Sequence, residues 1–187
     1  MSITRSFKIV NLTIMCGIIC LAKSTFADIR PAELKIGSFY SHFEVKNRTN
    51  KNLPSYINIE YLPVFEKLDN KSAFMSPRPH LGVMIAANGG TNQLYGGVTW
   101  RIPMQQFFAE LSFGGEIHDS PLRKKPGIKK RALGTRLLFR ESIGLGVNLT
   151  EQLTATALID HASNASIRLP NSGLTEAGLQ IGYKLGN

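Results

Sequence analysis

Runs of alternating apolar and polar residues constrain this chain's fold more than any other feature. In the clearest run, 106–118, Phe107, Ala109 and Leu111 alternate with Glu110 and Ser112. A two-residue period places successive side chains on opposite faces of a strand. The 3.6-residue period of an amphipathic helix is hard to find anywhere in the sequence. The pattern therefore predicts an all-β protein.

Eight such runs occur, separated by segments rich in turn-forming residues. They are Leu34–Val45, Tyr56–Phe65, His80–Asn88, Leu94–Ile102, Gln106–His118, Leu133–Asn148, Gln152–Ser163 and a last strand with Leu179, Ile181, Tyr183 and Leu185 on one face. The even number of strands and their length favour an eight-stranded antiparallel transmembrane β-barrel.

The polar faces of these strands carry full charges, including Glu110, Arg140 and Lys184. A soluble barrel or sandwich would expose these charges to water and bury the apolar face. A membrane barrel reverses this, with lipid on the apolar face and paired charges inside. Periodicity alone does not separate the two cases, so a soluble periplasmic barrel that binds a small apolar ligand stays as an alternative.

The first 27 residues have the pattern of a secretory signal peptide. A basic start is followed by the mostly apolar segment Ile9–Leu21 and by the small-x-small exit Thr25-Phe26-Ala27. The apolar segment is too short to span a membrane. We expect a signal peptide at 1–27 and one barrel domain at 28–187. Both cysteines, Cys16 and Cys20, fall in the signal peptide, so we expect no disulfide and no thiol nucleophile in the barrel.

Positive charge is concentrated in one segment. The chain has a formal net charge of +9, and six cations fall between residues 123 and 131: Arg123, Lys124, Lys125, Lys129, Lys130 and Arg131. With the N-terminus in the periplasm, this segment is an external loop of the predicted barrel. Such a cluster predicts either a local anion site or a merely solvated loop.

Several classes of function are disfavoured by the sequence. No aromatic residues are interleaved with the cations, and an exported barrel rarely meets nucleic acid, so nucleic acid is not an expected partner. No nucleotide-binding loop or Gly-x-Ser-x-Gly elbow is present. His42, His80 and His118 lack metal-ligand spacing, and we interpret them as structural. We expect neither a metal nor a cofactor.

His161 and Ser163 are the pair most suited to chemistry. They lie two residues apart at the end of a predicted strand, so both side chains emerge on one face. They continue the apolar face of 152–163, which directs them toward lipid near the outer rim. A histidine beside a hydroxyl can act as general base for a serine nucleophile, the minimum requirement for acyl transfer.

The surrounding motifs resemble the lipid A 3-O-deacylase (outer-membrane acyloxyacyl hydrolase) family. The specific part is His161-Ala-Ser163-Asn164-Ala165, and the supporting motifs include Tyr95-Gly-Gly-Val-Thr-Trp100, Leu133-Gly-Thr-Arg136 and Pro170-Asn-x-Gly-Leu174. The resemblance implies an outer-membrane barrel that hydrolyses an ester-linked acyl chain of lipid A. It makes Ser163 the nucleophile, His161 its base and Asn164 an oxyanion donor. Lipopolysaccharide is then the expected partner, and a homodimer stays open.

The third member of the site departs from the family pattern. The resemblance places the acid that orients the histidine at position 175, which is a threonine, while Glu176 lies one residue further on. Alternation directs Thr175 to the face of His161 and Glu176 into the barrel, unless a bulge turns Glu176 outward. Glu176 is therefore a provisional third catalytic residue. The alternative is a catalytically weak or inactive barrel that binds lipopolysaccharide or has a structural role.

Overall fold

Eight antiparallel strands close into one barrel in the computed structural model, which describes residues 31–41, 55–64, 76–128 and 130–186. The strands are β1 (Ala32–Tyr40), β2 (Ser55–Leu62), β3 (Arg78–Ala86), β4 (Gln93–Met104), β5 (Phe107–His118), β6 (Leu137–Asn148), β7 (Leu153–Ser163) and β8 (Leu174–Leu185). Each strand pairs with the next, and β8 pairs with β1. The predicted fold class is confirmed.

Some sequence expectations fall outside the described residues. These are the signal peptide at 1–27, His42 and Lys129 of the cation cluster. Among the residues that are described, no helix is long and apolar enough to cross a membrane.

Strand β6 begins at Leu137, four residues later than the sequence predicts. Leu133 is fully buried in a small cluster with Leu138, Ala162 and Leu174. Gly134, which follows it, has a φ of +78°, a conformation outside the extended region. Leu133 therefore anchors the loop between β5 and β6 instead of extending the strand.

The apolar faces of the strands point away from the barrel axis. Leu137, Leu145 and Leu179 are each about two-thirds exposed, at 66%, 66% and 68%. The charged side chains Lys35 and Glu110 are instead buried. A barrel with this arrangement needs an apolar solvent around it. The soluble alternative required the opposite distribution.

Charged pairs fill the interior. Arg140 donates from Nη1 to Glu116 at 2.9 Å and from Nη2 to Asp160 at 2.8 Å. Its guanidinium also lies 4.0 Å from the centroid of the Tyr95 ring. Lys35 donates to Glu110 at 2.8 Å in a second group nearer the other end of the barrel. Buried charges are tolerated when they are paired in this way.

We expect Arg140→Ala to lower the free energy of unfolding by about 3–5 kcal/mol, because Glu116 and Asp160 would stay buried without their cation. Urea unfolding in detergent micelles or vesicles measures this. Lys124→Ala, which removes an exposed cation from a loop, is the control and should have little effect. Equal stability of the two variants would contradict the assignment of Arg140 as the central interior cation.

Candidate active site

His161 and Thr175 meet on the outer face of the barrel, near the end where β7 finishes and β8 begins. The antiparallel register places them directly opposite each other. The Nδ1 atom of His161 lies 2.7 Å from Oγ1 of Thr175, a hydrogen bond. With Nδ1 engaged, Nε2 is the ring nitrogen that is left for chemistry.

Gly173 keeps space beside the second nitrogen. It has a φ of +58°, and a Cβ added to it would lie 3.0 Å from Cε1 and 3.5 Å from Nε2 of His161. A side chain at this position would therefore crowd the Nε2 edge of the imidazole.

Glu176 does not reach His161. It is fully buried inside the barrel, where it accepts a hydrogen bond of 2.9 Å from Nε2 of Gln93 and pairs in register with Asp160. The β7–β8 pairing stays in step at this point, so no bulge turns Glu176 outward. The provisional placement of Glu176 in the site is corrected, and Thr175 is the residue that contacts the histidine.

A tight turn follows Ser163. Ala165 and Ser166 have φ values of 51° and 63°, and the N–H of Ile167 donates to the carbonyl of Asn164 at 2.9 Å. Positive φ at both central residues is the type I′ pattern. The turn brings the Ala165 N–H to 3.5 Å from the Ser163 Oγ.

Left-handed conformations are costly for residues other than glycine and persist where the surroundings impose them, often at functional sites. Because it also lies beside the Ser163 Oγ, the Ala165 N–H is a candidate oxyanion donor. The sequence reasoning missed it because any residue type carries a backbone N–H.

Asn164 has its side-chain donors engaged elsewhere. Its Nδ2 donates to the carbonyl of Leu133 at 2.9 Å and to that of Arg168 at 2.6 Å, and the side chain is almost fully buried. Its backbone N–H donates to Oδ1 of Asn171 at 3.2 Å. The structure thus places Asn164 beneath the turn as a brace between two loops. The free amide that the sequence expectation requires beside Ser163 is not present in this arrangement.

Within the described part of the chain, Ser163 and His161 do not hydrogen-bond to each other. The Ser163 Oγ instead accepts a hydrogen bond from the Ala165 N–H. Both side chains are half-buried on the same outer face. Catalytic hydrogen bonds are often long in an unliganded enzyme and tighten when substrate binds. The two side chains therefore share one face of the barrel without a direct hydrogen bond between them.

An apolar groove begins next to Ser163 on the outer surface. Ser163 pairs in register with Phe139, Phe139 with Gly115, and Gly115 with Gly96. The two glycines leave a strip of barrel wall without side chains. A cavity of about 260 Å³ lies here, lined by Phe113, Gly114, Gly115, Thr135, Leu137, Leu138, Phe139, Asn164 and Ile167. This is a surface that an acyl chain can cover.

The family model for lipid A 3-O-deacylase (PagL) matches residues 55–184. The chain belongs to the lipid A 3-O-deacylase family. The outer-membrane enzyme PagL superimposes with a TM-score of 0.62 at 14% identity, covering 82% of this chain and 99% of that one. No protein in the curated set matches.

Two other solved barrels share the fold. The N-terminal β-barrel domain of Pseudomonas aeruginosa OprF has a TM-score of 0.58 at 10% identity and covers 83% of this chain and 98% of its own. Neisserial surface protein A has a TM-score of 0.50 at 9% identity and covers 82% and 94%. This lipid A deacylase-family protein is thus an outer-membrane β-barrel. Nothing in the comparisons supports the homodimer left open above.

The remaining described histidines have structural partners. Nδ1 of His80 lies 2.8 Å from Oγ1 of Thr99 inside the barrel, and Nε2 of His118 lies 2.8 Å from the carbonyl of Thr135. Within the described ranges, no group of three His, Cys, Asp or Glu residues has the arrangement of a metal site.

We expect Asn164→Ala to loosen the loop at 164–173, because the carbonyls of Leu133 and Arg168 lose their shared donor. The expected loss is about 1–3 kcal/mol of local stability. Limited proteolysis of the folded barrel should then cleave this loop faster than in the wild type. Ser172→Ala, an exposed change in the same loop, is the control, and similar cleavage rates for both variants would contradict the bracing role.

Proposed function

We propose that the protein hydrolyses the 3-O-linked acyl ester of lipid A, with Ser163 as nucleophile and His161 as general base. The observation that carries this proposal is the 2.7 Å hydrogen bond between His161 Nδ1 and Thr175 Oγ1. It holds the imidazole on the same outer face as Ser163, beside the apolar groove. Membership of the lipid A 3-O-deacylase family supplies the substrate class.

In the proposed reaction, Oγ of Ser163 attacks the ester carbonyl while Nε2 of His161 takes the hydroxyl proton. The Ala165 N–H stabilises the oxyanion of the tetrahedral intermediate, and Asn164 holds the turn that presents this donor. Collapse of the intermediate releases the sugar hydroxyl, which receives its proton from His161. Water, activated by the same histidine, then hydrolyses the acyl-serine and frees the fatty acid.

The acyl chain that is removed occupies the groove over Gly115 and Gly96 in this proposal. Because lipid A lies in the outer leaflet, the end of the barrel that carries Ser163 faces the cell exterior. That orientation agrees with a periplasmic N-terminus following removal of residues 1–27 as a signal peptide.

Ser163→Ala and His161→Ala should each abolish release of 3-hydroxy fatty acid from lipopolysaccharide, because one removes the attacking oxygen and the other removes its base. Mass spectrometry of lipid A after incubation with refolded barrel measures this. Ser172→Ala, which removes an exposed hydroxyl nine residues away, is the matched control and should keep wild-type activity. Unchanged activity in either site variant would refute the assignment.

Thr175→Glu should raise kcat by roughly tenfold or more, because a carboxylate stabilises the imidazolium formed in the transition state better than a hydroxyl does. Thr175→Val should lower kcat, since the hydrogen bond to Nδ1 is lost. Glu176→Gln is the matched control on the adjacent residue, whose side chain lies inside the barrel. A loss of activity in Glu176→Gln with no effect at Thr175 would reverse the assignment made from the geometry.

A second candidate is a family member that binds lipopolysaccharide, or stiffens the outer membrane, without cleaving it. The observation that favours it is the hydroxyl where the resemblance expects an acid: no carboxylate hydrogen-bonds to His161 among the described residues. Wild-type protein that releases no fatty acid while Thr175→Glu gains activity would support this reading.

A further inference from the structure

Two of the described cations in the loop between β5 and β6 are bound to neighbouring loop residues. Lys130 donates to Asp119 at 2.9 Å. Partial burial disfavours the Asp119 carboxylate, but hydrogen bonds from Lys130 and Asn92 outweigh this and lower the pKa of Asp119. Arg131 donates from Nη1 to the carbonyls of Ser172 and Gly173 at 3.0 and 2.8 Å. Lys130 and Arg131 therefore hold the loops together, and neither lines the neighbouring cavity.

A second group of cations surrounds a cavity. Arg123, Lys125, Arg136 and Arg168 line a space of about 360 Å³ whose other walls are Pro121, Leu122 and Gly134. Arg123, Lys125 and Arg168 have no ion pair with any residue that the structure describes. Four cationic residues from two loops thus line one cavity, and Arg136 is the residue immediately before β6.

Arg136 is fixed at the wall of this cavity. Its Nη1 donates to the carbonyls of His118 and Ser120 at 2.9 and 2.8 Å. A guanidinium held in this way loses less conformational entropy when it binds a ligand than a freely rotating lysine does. The cavity therefore combines one oriented cation with three adaptable ones.

The cationic cavity adjoins the apolar groove. Gly134 and Arg136 line the cationic cavity, whereas Thr135 between them lines the apolar one together with Asn164. The hydrogen bond from Asn164 to the Arg168 carbonyl joins the two walls. A ligand that spans both must carry an anionic group a short distance from an acyl chain, with Ser163 near the junction.

We propose that Arg123, Lys125, Arg136 and Arg168 form a phosphate subsite that binds a phosphomonoester of lipid A while its acyl chain lies in the groove. This rests on the proposed function and names the part of the substrate that the loop cations recognise. A phosphomonoester carries up to two negative charges and three acceptor oxygens, which guanidinium groups bind in a bidentate manner. Arg123 and Lys125 of the cluster at 123–131 then form part of the site, and Arg136 and Arg168 complete it.

The test measures binding in the Ser163→Ala background, so that turnover does not consume the ligand. Bisphosphorylated lipid A and its dephosphorylated form, both in detergent micelles, are the two ligands. We expect the phosphorylated lipid to bind at least roughly tenfold more tightly. The triple substitution Arg123→Ala, Lys125→Ala and Arg168→Ala should remove that preference without weakening binding of the dephosphorylated lipid.

Two further variants distinguish binding at this cavity from nonspecific electrostatic attraction. Lys124→Ala removes an exposed cation that does not line the cavity and should keep the preference. Arg168→Lys keeps the charge but loses the planar fork, and should keep only part of it. Equal loss of preference in Lys124→Ala and the triple variant would overturn the subsite in favour of unspecific screening.

Inorganic phosphate presents the same anionic group as a phosphomonoester of lipid A, so it is tested as an alternative ligand. If inorganic phosphate binds the cavity while phosphorylated and dephosphorylated lipid A bind equally, the lipid subsite is overturned. If wild-type protein releases no fatty acid but the binding preference and its loss in the triple variant are observed, the proposed hydrolysis fails and the subsite stands. The two proposals therefore fail separately.

Discussion

The two-residue alternation of a closed β-barrel is the constraint on which the rest of the structure depends. Every strand is paired on both sides, so a residue cannot change faces without disturbing two ladders. This fixes the interior pair of Arg140 with Asp160 and, one residue further along β7, the outward direction of His161. The same rule on β8 separates Thr175 from Glu176.

The separation of the two faces also places the carboxylates of Asp160 and Glu176 inside the barrel. Asp160 and Glu176 face each other across the β7–β8 ladder on the interior side, where Arg140 and Gln93 bind them. His161 lies on the opposite side of the same sheet. Asp160 precedes the candidate base in sequence and Glu176 follows its partner Thr175, yet both carboxylates are buried in the interior. On the outer face, the hydrogen-bond partner of His161 is the Thr175 hydroxyl, and the exposed Glu141 of β6 pairs in register with His161 from the other side.

The fold and the outer-face pair could be predicted from the sequence because both depend on local periodicity. The His161–Thr175 contact followed from parity together with a family spacing. The loop contacts could not be predicted, since they depend on tertiary neighbours. Leu133 lies in a buried cluster and not in the predicted strand, and Arg131 donates to the carbonyls of Ser172 and Gly173. Residue type also could not show that the Asn164 amide is engaged with Leu133 and Arg168.

The Thr175 hydroxyl differs from a carboxylate in its hydrogen bonding as well as in its charge. A carboxylate only accepts, so it forces the proton of a neutral histidine onto Nδ1 and leaves Nε2 free to act as a base. A hydroxyl both donates and accepts, so the 2.7 Å contact is satisfied by either tautomer of His161. Only the tautomer with a proton on Nδ1 can take the proton of Ser163. Thr175 therefore orients the ring without selecting its reactive form, and the fraction of competent enzyme depends on what the Nε2 edge meets beside Gly173 and the bound ester.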